Sequence, residues 1–578
     1  MAMSPIDAEI LRNAMASIAD EMYIALMKAS YSTNIKERKD HSTALFDPAG
    51  RVVVQGESMP LHLASMLGLV EVVLEKYGRD GIRPGDMFMS NDPYVGRGSH
   101  LPDVAVAAPI FHEGRLVMFA CNIAHHADIG GMSPGSMAGG MTEIYQEGLR
   151  IPPVRLMKDD EVVRDVMDMV LLNVRVPEER LGDYNAQIAS NQLAVRRAAP
   201  LIGRWGADRI AEGCDAIISA VARRTRAAIG DLPDGTYRFE DVVDDDGLSR
   251  RNIRIRLSVT VSGDEIEFDF DGTDPQVEGN NNVTLAGLQA TCLYCMKVLL
   301  DPGCPQNHGM LDPVTIRAPE GSIVNAAFPA ASAARAQTAQ RIVDVIFGAL
   351  APACPDRIIA ASNGANTSAA FFGRGPDGKY YVYLETLGGG AGARSYKDGT
   401  DGVQVHMTNT SNLPIEALET EYPLMIERYE LVEDSGGAGR HRGGLGLRRD
   451  YRPIGHETTF SGQGERFANP PWGIAGGGPG GTGRFAVLHD SGEERRLSSK
   501  PSTLRVGPDG TISVITAGAG GFGDPAHRTR EALDEDVASG KFSPAFLAER
   551  YPDRQGRSHD GTAAGRSRTQ ATRVSRRR

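Results

Sequence analysis

The residues of this sequence whose types and spacing suggest chemistry lie between positions 86 and 128. His100 and Asp103 stand in the run His100-Leu-Pro-Asp103, and His125 follows at the end of a later apolar run. Two imidazoles and a carboxylate are ligands that suit Zn, Mn or Fe(II) with one coordination position left open. Such a site would activate a water molecule. The alternative is that these residues are polar loop and strand-end groups that satisfy the backbone.

A β-hairpin should bring these residues together. Two apolar runs, 104–111 and 116–124, flank a polar turn of four residues. Antiparallel pairing across that turn would set Asp103 opposite Ala124, one residue before His125. The predicted site therefore lies at the end of a hairpin rather than on a helix, and the proline between His100 and Asp103 also argues against a helical ligand pair.

Helices and further strands must support this hairpin. Ser4-Pro5 followed by apolar residues at helical spacing predicts an N-terminal helix. The same reasoning predicts helices over 61–77, 177–199, 207–229, 285–300 and 528–539. Alternating apolar residues from Tyr237 onwards predict a second hairpin, and short strands alternate with glycine clusters between 370 and 484. We therefore expect an α+β chain, mixed, β-rich and rich in glycine loops.

The length of 578 residues exceeds the ~250–300 at which a single core usually stops growing, so several units are expected. We predict an N-terminal α+β unit with the metal site, a central β-containing unit, a glycine-rich β unit, a C-terminal helix and a basic disordered tail. Their predicted boundaries are 1–235, 236–425, 426–525, 526–551 and 552–578.

Charge and composition exclude several classes of protein. The net charge is −12, and Asp553–Arg578 alone carries eight arginines against two acids. The rest of the chain is therefore strongly acidic, which disfavours a nucleic-acid partner. No apolar run is long enough for a membrane span, and the N-terminus lacks a basic signal region. Six sparse cysteines fit a reducing compartment, and we expect a cytoplasmic protein.

Other motifs give weaker signals. Gly478–Gly483 and Gly518–Gly523 both match G-x-G-x-x-G, but neither lies in a complete βαβ unit, so a glycine loop lining a site or interface is favoured over nucleotide binding. No P-loop pattern and no G-x-S-x-G elbow occur. Cys292-Leu-Tyr-Cys295 has no second pair at zinc spacing and indicates two buried thiols.

An ordered series of motifs makes the chain similar to a known family. The series is Asp40-His-Ser-Thr-Ala-Leu-Phe-Asp47, Pro60-Leu-His62, Asn91-Asp-Pro-Tyr94, His100-Leu-Pro-Asp103, His125-His-Ala-Asp-Ile-Gly-Gly131, Gln146-Glu-Gly-Leu-Arg-Ile-Pro152, Asp434-Ser-Gly-Gly-Ala-Gly439 and Arg442-Gly-Gly-Leu-Gly446. With these motifs the chain resembles the hydantoinase B/oxoprolinase family from about Pro5 to Tyr551. That family comprises the B-type subunits, or C-terminal halves, of ATP-dependent 5-oxoprolinases, N-methylhydantoinases and related lactamases, and subunits of ketone carboxylases.

The resemblance implies a metal site whose ligands fall on Asp40, His100, Asp103 and His125. Members of the family commonly carry an aromatic residue after the first of these, where this chain has His41, so either Asp40 or His41 could face the metal. His62, His126 and Asp128 are candidates to orient the ligands or the substrate. The implied cofactor is one divalent transition metal, Zn or Mn.

The resemblance also implies that two proteins share the reaction. An A-type partner uses ATP to phosphorylate the amide oxygen of a hydantoin, 5-oxoproline or related lactam, and a metal-activated water in this subunit attacks the carbonyl carbon. The implied assembly is a hetero-oligomer, and the absence of an ATP motif in this chain fits that division. Two alternatives stay open, a metal-containing subunit of an ATP-dependent ketone carboxylase and a non-catalytic scaffold subunit.

Overall fold

The computed structural model describes residues 3–56, 60 and 62–551, with the backbone alone at 63–65 and 67. Its helices are α1 (Pro5–Ala29), α2 (Thr33–Lys36), α3 (His62–Tyr77), α4 (Ile144–Glu147), α5 (Arg164–Leu172), α6 (Pro177–Trp205), α7 (Ala207–Gly230), α8 (Leu285–Leu300), α9 (Arg335–Leu350), α10 (Ile415–Glu421), α11 (Arg530–Ala538) and α12 (Pro544–Arg550). The predicted helices are confirmed within two residues at their predicted ends, except that α6 continues through Pro200 to Trp205, six residues beyond the predicted end at 199. Leu61 lies outside the described residues. The predicted disordered tail, 552–578, also lies outside them.

The N-terminal sheet has seven strands in the order β2-β1-β5-β4-β3-β6-β7, and all of its pairs are antiparallel. The strands are β1 (His41–Phe46), β2 (Val52–Gln55), β3 (Met87–Ser90), β4 (Asp103–His112), β5 (Arg115–His125), β6 (Val154–Lys158) and β7 (Glu161–Val162). Apolar residues of α1, α6 and α7 cover one face, and α3 covers the other. The central strands are therefore buried on both sides, which explains their continuous apolar sequence.

Three further sheets complete the α+β fold. Their strands are β8 (Gly235–Asp245), β9 (Arg251–Ser262), β10 (Glu265–Asp269), β11 (Val314–Arg317), β12 (Thr367–Arg374), β13 (Tyr380–Leu387), β14 (Leu424–Leu431), β15 (Leu447–Pro453), β16 (Thr458–Gln463), β17 (Arg484–His489), β18 (Glu494–Arg496), β19 (Leu504–Val506) and β20 (Gly510–Ile515). The sheet orders are β11-β10-β9-β8, β13-β12-β16-β19 and β14-β15-β20-β17-β18.

Packing joins these sheets into larger bodies. The sheet that contains β8 and β9 shares one core with α8 and α9. The last two sheets share another core, in which Phe371 and Tyr383 of one meet Tyr451 and Val514 of the other. One of these sheets takes strands from both sides of position 425, where the predicted boundary between the central and glycine-rich units lies. None of the described helices is both long and apolar enough to cross a lipid bilayer.

Candidate metal centre

The β4–β5 hairpin places Asp103 directly opposite His125. The expected pairing of Asp103 with Ala124 is wrong by one residue, although the turn itself pairs His112 with Arg115 as that register requires. A β-bulge between Ile110 and Phe111 adds the missing residue to β5. The shift improves the predicted site, because the two candidate ligands become direct cross-strand neighbours.

His100, Asp103 and His125 form the centre of a buried cluster. One ligand atom of each lies within 4.8 Å of those of the other two. Nε2 of His100 is 3.1 Å from Oδ1 of Asp103, and the His100 and His125 ring centroids are 5.1 Å apart. All three side chains are buried. The structure therefore brings together the three residues that the hairpin was expected to gather.

Asp103 is held in place by two donors on its other oxygen. Arg335, the first residue of α9, donates to Oδ2 at 2.5 Å, and the Ser99 hydroxyl donates to the same atom at 2.7 Å. Burial opposes ionisation, but the neighbouring His100 and Arg335 lower the pKa of Asp103 well below its ordinary value. Because arginine keeps its charge at any ordinary pH, Asp103 is ionised whatever the state of His100.

His100 presents an unprotonated nitrogen to this carboxylate. Its Nδ1 lies 3.0 Å from the carbonyl oxygen of Ala333, which can only accept, so Nδ1 carries the proton. Burial, helped by the charge of Arg335, lowers the pKa of His100 to about 4, and the neutral ring therefore has its lone pair on Nε2. That lone pair and the Asp103 carboxylate face each other at 3.1 Å with no proton between them at neutral pH. A cation between the two would relieve this repulsion.

Asp40, and not His41, faces the cluster. His41 stacks on Tyr23 with ring centroids 4.1 Å apart, and its Nε2 lies 3.1 Å from the Tyr23 carbonyl oxygen. Oδ1 of Asp40 lies 3.6 Å from Nε2 of His62, and the same nitrogen is 3.4 Å from Oδ1 of Asp103. His62 thus stands between the two carboxylates, with its Nδ1 3.0 Å from the Ser42 hydroxyl. Burial raises the pKa of Asp40.

His125 is positioned by α2. Asn34 donates from Nδ2 to the His125 carbonyl at 3.2 Å, and the same nitrogen lies 3.0 Å from Nδ1 of the ring. Arg38 donates to Oδ1 of Asn34, which fixes the orientation of the amide. The ring Nδ1 therefore accepts and the ring proton lies on Nε2, so His125 has no free lone pair while the contact with Asn34 is made. Burial and the neighbouring His100 lower the pKa of His125 well below its ordinary value, so the ring is neutral.

The unsatisfied atoms of the cluster match a metal site. Four buried atoms have no hydrogen-bond partner among the described residues: Oδ1 of Asp40, Nε2 of His62, Nε2 of His100 and Oδ1 of Asp103. A buried polar atom without a partner costs about 1–3 kcal/mol, and four that converge need a shared explanation. Neutral imidazoles and carboxylates are the protonation states in which these side chains bind Zn or Mn. The unpartnered atoms of Asp40, His62, His100 and Asp103 fit the implied metal, whereas His125 would have to release its contact with Asn34 to bind it.

His126 and Asp128 lie in other networks. Nε2 of His126 hydrogen bonds to Oε1 of Gln187 at 3.0 Å, and its ring stacks on Tyr184. Asp128 accepts from the backbone and side chain of Arg175, both at 2.8 Å, and from the glycine loop that follows it. The structure therefore shows these two residues in contacts that fix the end of β5 and the following loop, whereas His62 joins the cluster.

The glycine motifs pack against one another. Gly390, Gly443, Gly444, Gly518 and Gly521 belong to loops so close that an added Cβ would come within about 2 Å of a backbone atom of a neighbouring loop. The second G-x-G-x-x-G match is part of this packed region rather than the start of a helix that could bind a phosphate. Cys292 and Cys295 are buried free thiols on α8, as expected.

Sequence reasoning missed two supports of the site. Arg335 is separated from Asp103 by 232 positions and stands in an alanine-rich run that gives no charge pattern. Glu147 accepts from the backbone N–H groups of Ser332 and Ala333, both at 2.6 Å, and so fixes the turn whose carbonyl binds His100. The only signal for Glu147 was its place in the motif Gln146-Glu-Gly-Leu-Arg-Ile-Pro152.

Comparison with known proteins agrees with this fold. The family model for hydantoinase B/oxoprolinase matches residues 4–525. The chain is 32% identical over 553 residues to caprolactamase subunit beta of Pseudomonas jessenii, covering 94% of each. It is 33% identical over 545 residues to 5-oxoprolinase 1 of Arabidopsis thaliana, covering 90% of this chain and 42% of that longer protein. The crystal structure of ATP-dependent caprolactamase from Pseudomonas jessenii superposes with a TM-score of 0.89 at 28% identity, covering 95% of this chain and 96% of the other.

Proposed function

Because the chain belongs to the hydantoinase B/oxoprolinase family, we propose that it is the B-type subunit of an ATP-dependent hydrolase of cyclic amides. The observation that carries the proposal is the set of four unpartnered ligand atoms around His100 and Asp103. A hydantoin, 5-oxoproline or another lactam is the proposed substrate class. The subunit name of the caprolactamase relative supports a separate partner protein, and we propose that this A-type partner uses the ATP.

The proposed division of labour follows from the chemistry of the amide. An unstrained ring amide is a poor electrophile, so phosphorylation of its oxygen by the partner would supply the driving force. Asp40, His100 and Asp103 would hold a divalent transition metal, joined by His125 once its ring is released from Asn34, with His62 next to them. When bound, the metal would supply Lewis acidity and lower the pKa of a water molecule that attacks the carbonyl carbon.

The protein's own residues would prepare this site in three ways. Arg335 keeps Asp103 ionised, and Ala333 keeps the proton of His100 on Nδ1, so both ligands are ready without rearrangement. The surrounding sheet and helices exclude bulk water, which strengthens every electrostatic interaction inside. His62 lies between Asp40 and Asp103, with its Nε2 3.6 Å and 3.4 Å from their Oδ1 atoms, and so would orient both carboxylates.

The test is ring opening by the complex of this chain with its A-type partner. The expected result is ATP-dependent formation of the ring-opened acid, which is lost after dialysis against a chelator and restored by Zn or Mn. His100→Ala should abolish turnover and metal content while the complex still assembles. His112→Ala is the matched control, because His112 stands at the opposite end of β4.

The other outcomes separate the alternatives. Full activity of the metal-free complex and of His100→Ala would overturn the proposal in favour of a scaffold subunit. No ring opening of any cyclic amide, together with ATP-dependent consumption of acetone and bicarbonate, would instead identify a ketone carboxylase. Assembly is followed by gel filtration, so that dissociation of the complex is not mistaken for loss of chemistry.

A further inference from the structure

A cavity lies apart from the candidate metal centre. It has a volume of about 630 Å³ and lies between the end of α8, α9 and the loops around 354–359 and 392–406. None of the candidate metal ligands lines it. Its volume is within the ~300–1,000 Å³ typical of pockets for small molecules.

Apolar side chains form about half of the wall of this cavity. They are those of Val298, Leu299, Leu300, Pro302, Phe347 and Ile359. Tyr294 and Tyr396 add two further aromatic rings, and Tyr396 is 67% exposed. A ligand with an aromatic or aliphatic body would bury apolar surface here.

Arg394 contributes a positively charged guanidinium group to the wall of this cavity. Among the described residues its guanidinium group has neither an ion-pair partner nor a side-chain hydrogen bond. Arg357, the other arginine of the cavity, donates to the Leu300 carbonyl at 3.4 Å and so caps the end of α8. Asp356 also lines the cavity, and among the described residues it forms no ion pair with either arginine. Arg394 is therefore the group available to an anion.

His406 adds a buried polar atom in the same place. Its side chain is 3% exposed, and its Nε2 has no hydrogen-bond partner among the described residues. Nδ1 lies 3.4 Å from the Tyr294 hydroxyl, and Nε2 is 3.9 Å from Oδ1 of Asp344 behind it. The backbone of His406 is also in the left-handed region, at φ 49°, a conformation that non-glycine residues keep mostly where the surroundings demand it.

We propose that this cavity is a binding site for a small carboxylate with an apolar body. The carboxylate would bind Arg394 through a forked pair of hydrogen bonds, and the apolar body would lie along the wall formed by α8 and Phe347. A bare phosphate would leave these apolar walls uncovered and is therefore disfavoured. The site is separate from the proposed ring-opening chemistry and does not depend on it.

The test uses benzoate as the probe and isothermal titration calorimetry of the full chain. We expect one benzoate per chain, bound at least tenfold more tightly than benzamide, which has the same ring without the charge. Arg394→Gln should remove this preference. Arg374→Gln, an arginine on β12 that hydrogen bonds to the Gly378 carbonyl, should leave it unchanged.

His100→Ala distinguishes this cavity from the metal cluster. The proposal would be overturned if benzoate binding were lost in His100→Ala but kept in Arg394→Gln. It would also be overturned if benzoate and benzamide bound equally well, or if benzoate did not bind at all. Tighter binding of inorganic phosphate than of benzoate would also overturn it. If Arg394→Gln does not fold, hydrogen exchange of the wild-type chain locates the benzoate site instead. Bound benzoate should then slow amide exchange in residues 354–359 and 392–406, and no change there would overturn the proposal.

Discussion

Arg335 donates a hydrogen bond to Oδ2 of Asp103 at 2.5 Å, and both side chains are almost completely buried. This contact joins the start of α9 to the first residue of β4, and so links the central part of the chain to the N-terminal sheet. It leaves Oδ1 of Asp103 without a partner among the described residues and directed at His100 and His62. The contact with Arg335 thus keeps the Asp103 carboxylate ionised and orients it toward His100 and His62.

Arg335→Gln should destabilise the hairpin, because it leaves the Asp103 carboxylate buried without its counter-charge. Removal of one partner from a buried ion pair costs about 3–5 kcal/mol. We expect a loss of about 3 kcal/mol in the opening free energy of β4 and β5, measured by native-state hydrogen exchange.

The double variant Arg335→Gln with Asp103→Asn should recover most of this loss, since the buried charge is then also removed. Arg317→Gln breaks the ion pair with Glu267 at an exposed site and should cost no more than about 1 kcal/mol. An equal loss of opening free energy in the Arg335→Gln and Arg317→Gln variants would contradict the view that burial makes the Arg335–Asp103 pair the more costly one to break.

The hairpin could be predicted from the sequence because two apolar runs flank a short polar turn. Its register could not, since Pro109 next to the bulge indicates an irregular ladder but does not show which strand gains the extra residue. The choice between Asp40 and His41 also needed the structure. Adjacent residues of an extended segment point to opposite faces, and the sequence does not show which face is which.

The residues that hold the site in place from distant parts of the chain could not be predicted from the sequence either. Arg335 and Glu147 act through contacts with residues far away in the chain, and neither belongs to a periodic pattern. His62 was expected to orient other groups, but its position between two carboxylates depends on how α3 packs on the sheet. Motifs therefore identified most of the cluster, whereas tertiary packing decides which atoms face it.

Glu147→Ala should weaken metal binding although Glu147 does not touch the cluster. Its carboxylate fixes the Ser332–Ala333 turn, whose carbonyl keeps the proton of His100 on Nδ1. Loss of such a support typically costs about 10–100-fold in metal affinity. Competition with a chromophoric chelator measures the affinity for Zn.

Glu147→Gln keeps an oxygen that can accept from the same backbone groups, so it should retain most of the affinity. Glu161→Ala, at an exposed position of β7, is the control and should have no effect. Equal weakening by Gln and Ala at position 147 would count against a positioning role.

Asp40→Asn and His41→Phe should separate the two neighbours that the sequence could not distinguish. Asn offers a neutral and weaker ligand where Asp40 faces His62, so metal content should fall. Phe preserves the stacking of residue 41 on Tyr23, so metal content should stay at the wild-type value. Elemental analysis of both folded variants provides the comparison, and metal loss in His41→Phe alone would reverse the assignment.

His406 should make the protein less stable in mild acid. Burial, with a contribution from Arg394, lowers the pKa of His406 to about 3, whereas an unfolded histidine has a pKa of about 6.5. Between pH 6.5 and pH 3 the unfolded chain binds a proton at His406 that the folded chain does not bind. The free energy of unfolding therefore falls as the pH falls, by about 1.4 kcal/mol per pH unit. The free energy of unfolding of His406→Gln should therefore fall by about 2 kcal/mol less than that of the wild type between pH 6.5 and pH 5. Calorimetric unfolding at several pH values tests this, and parallel stability curves for the two proteins would show that His406 does not contribute.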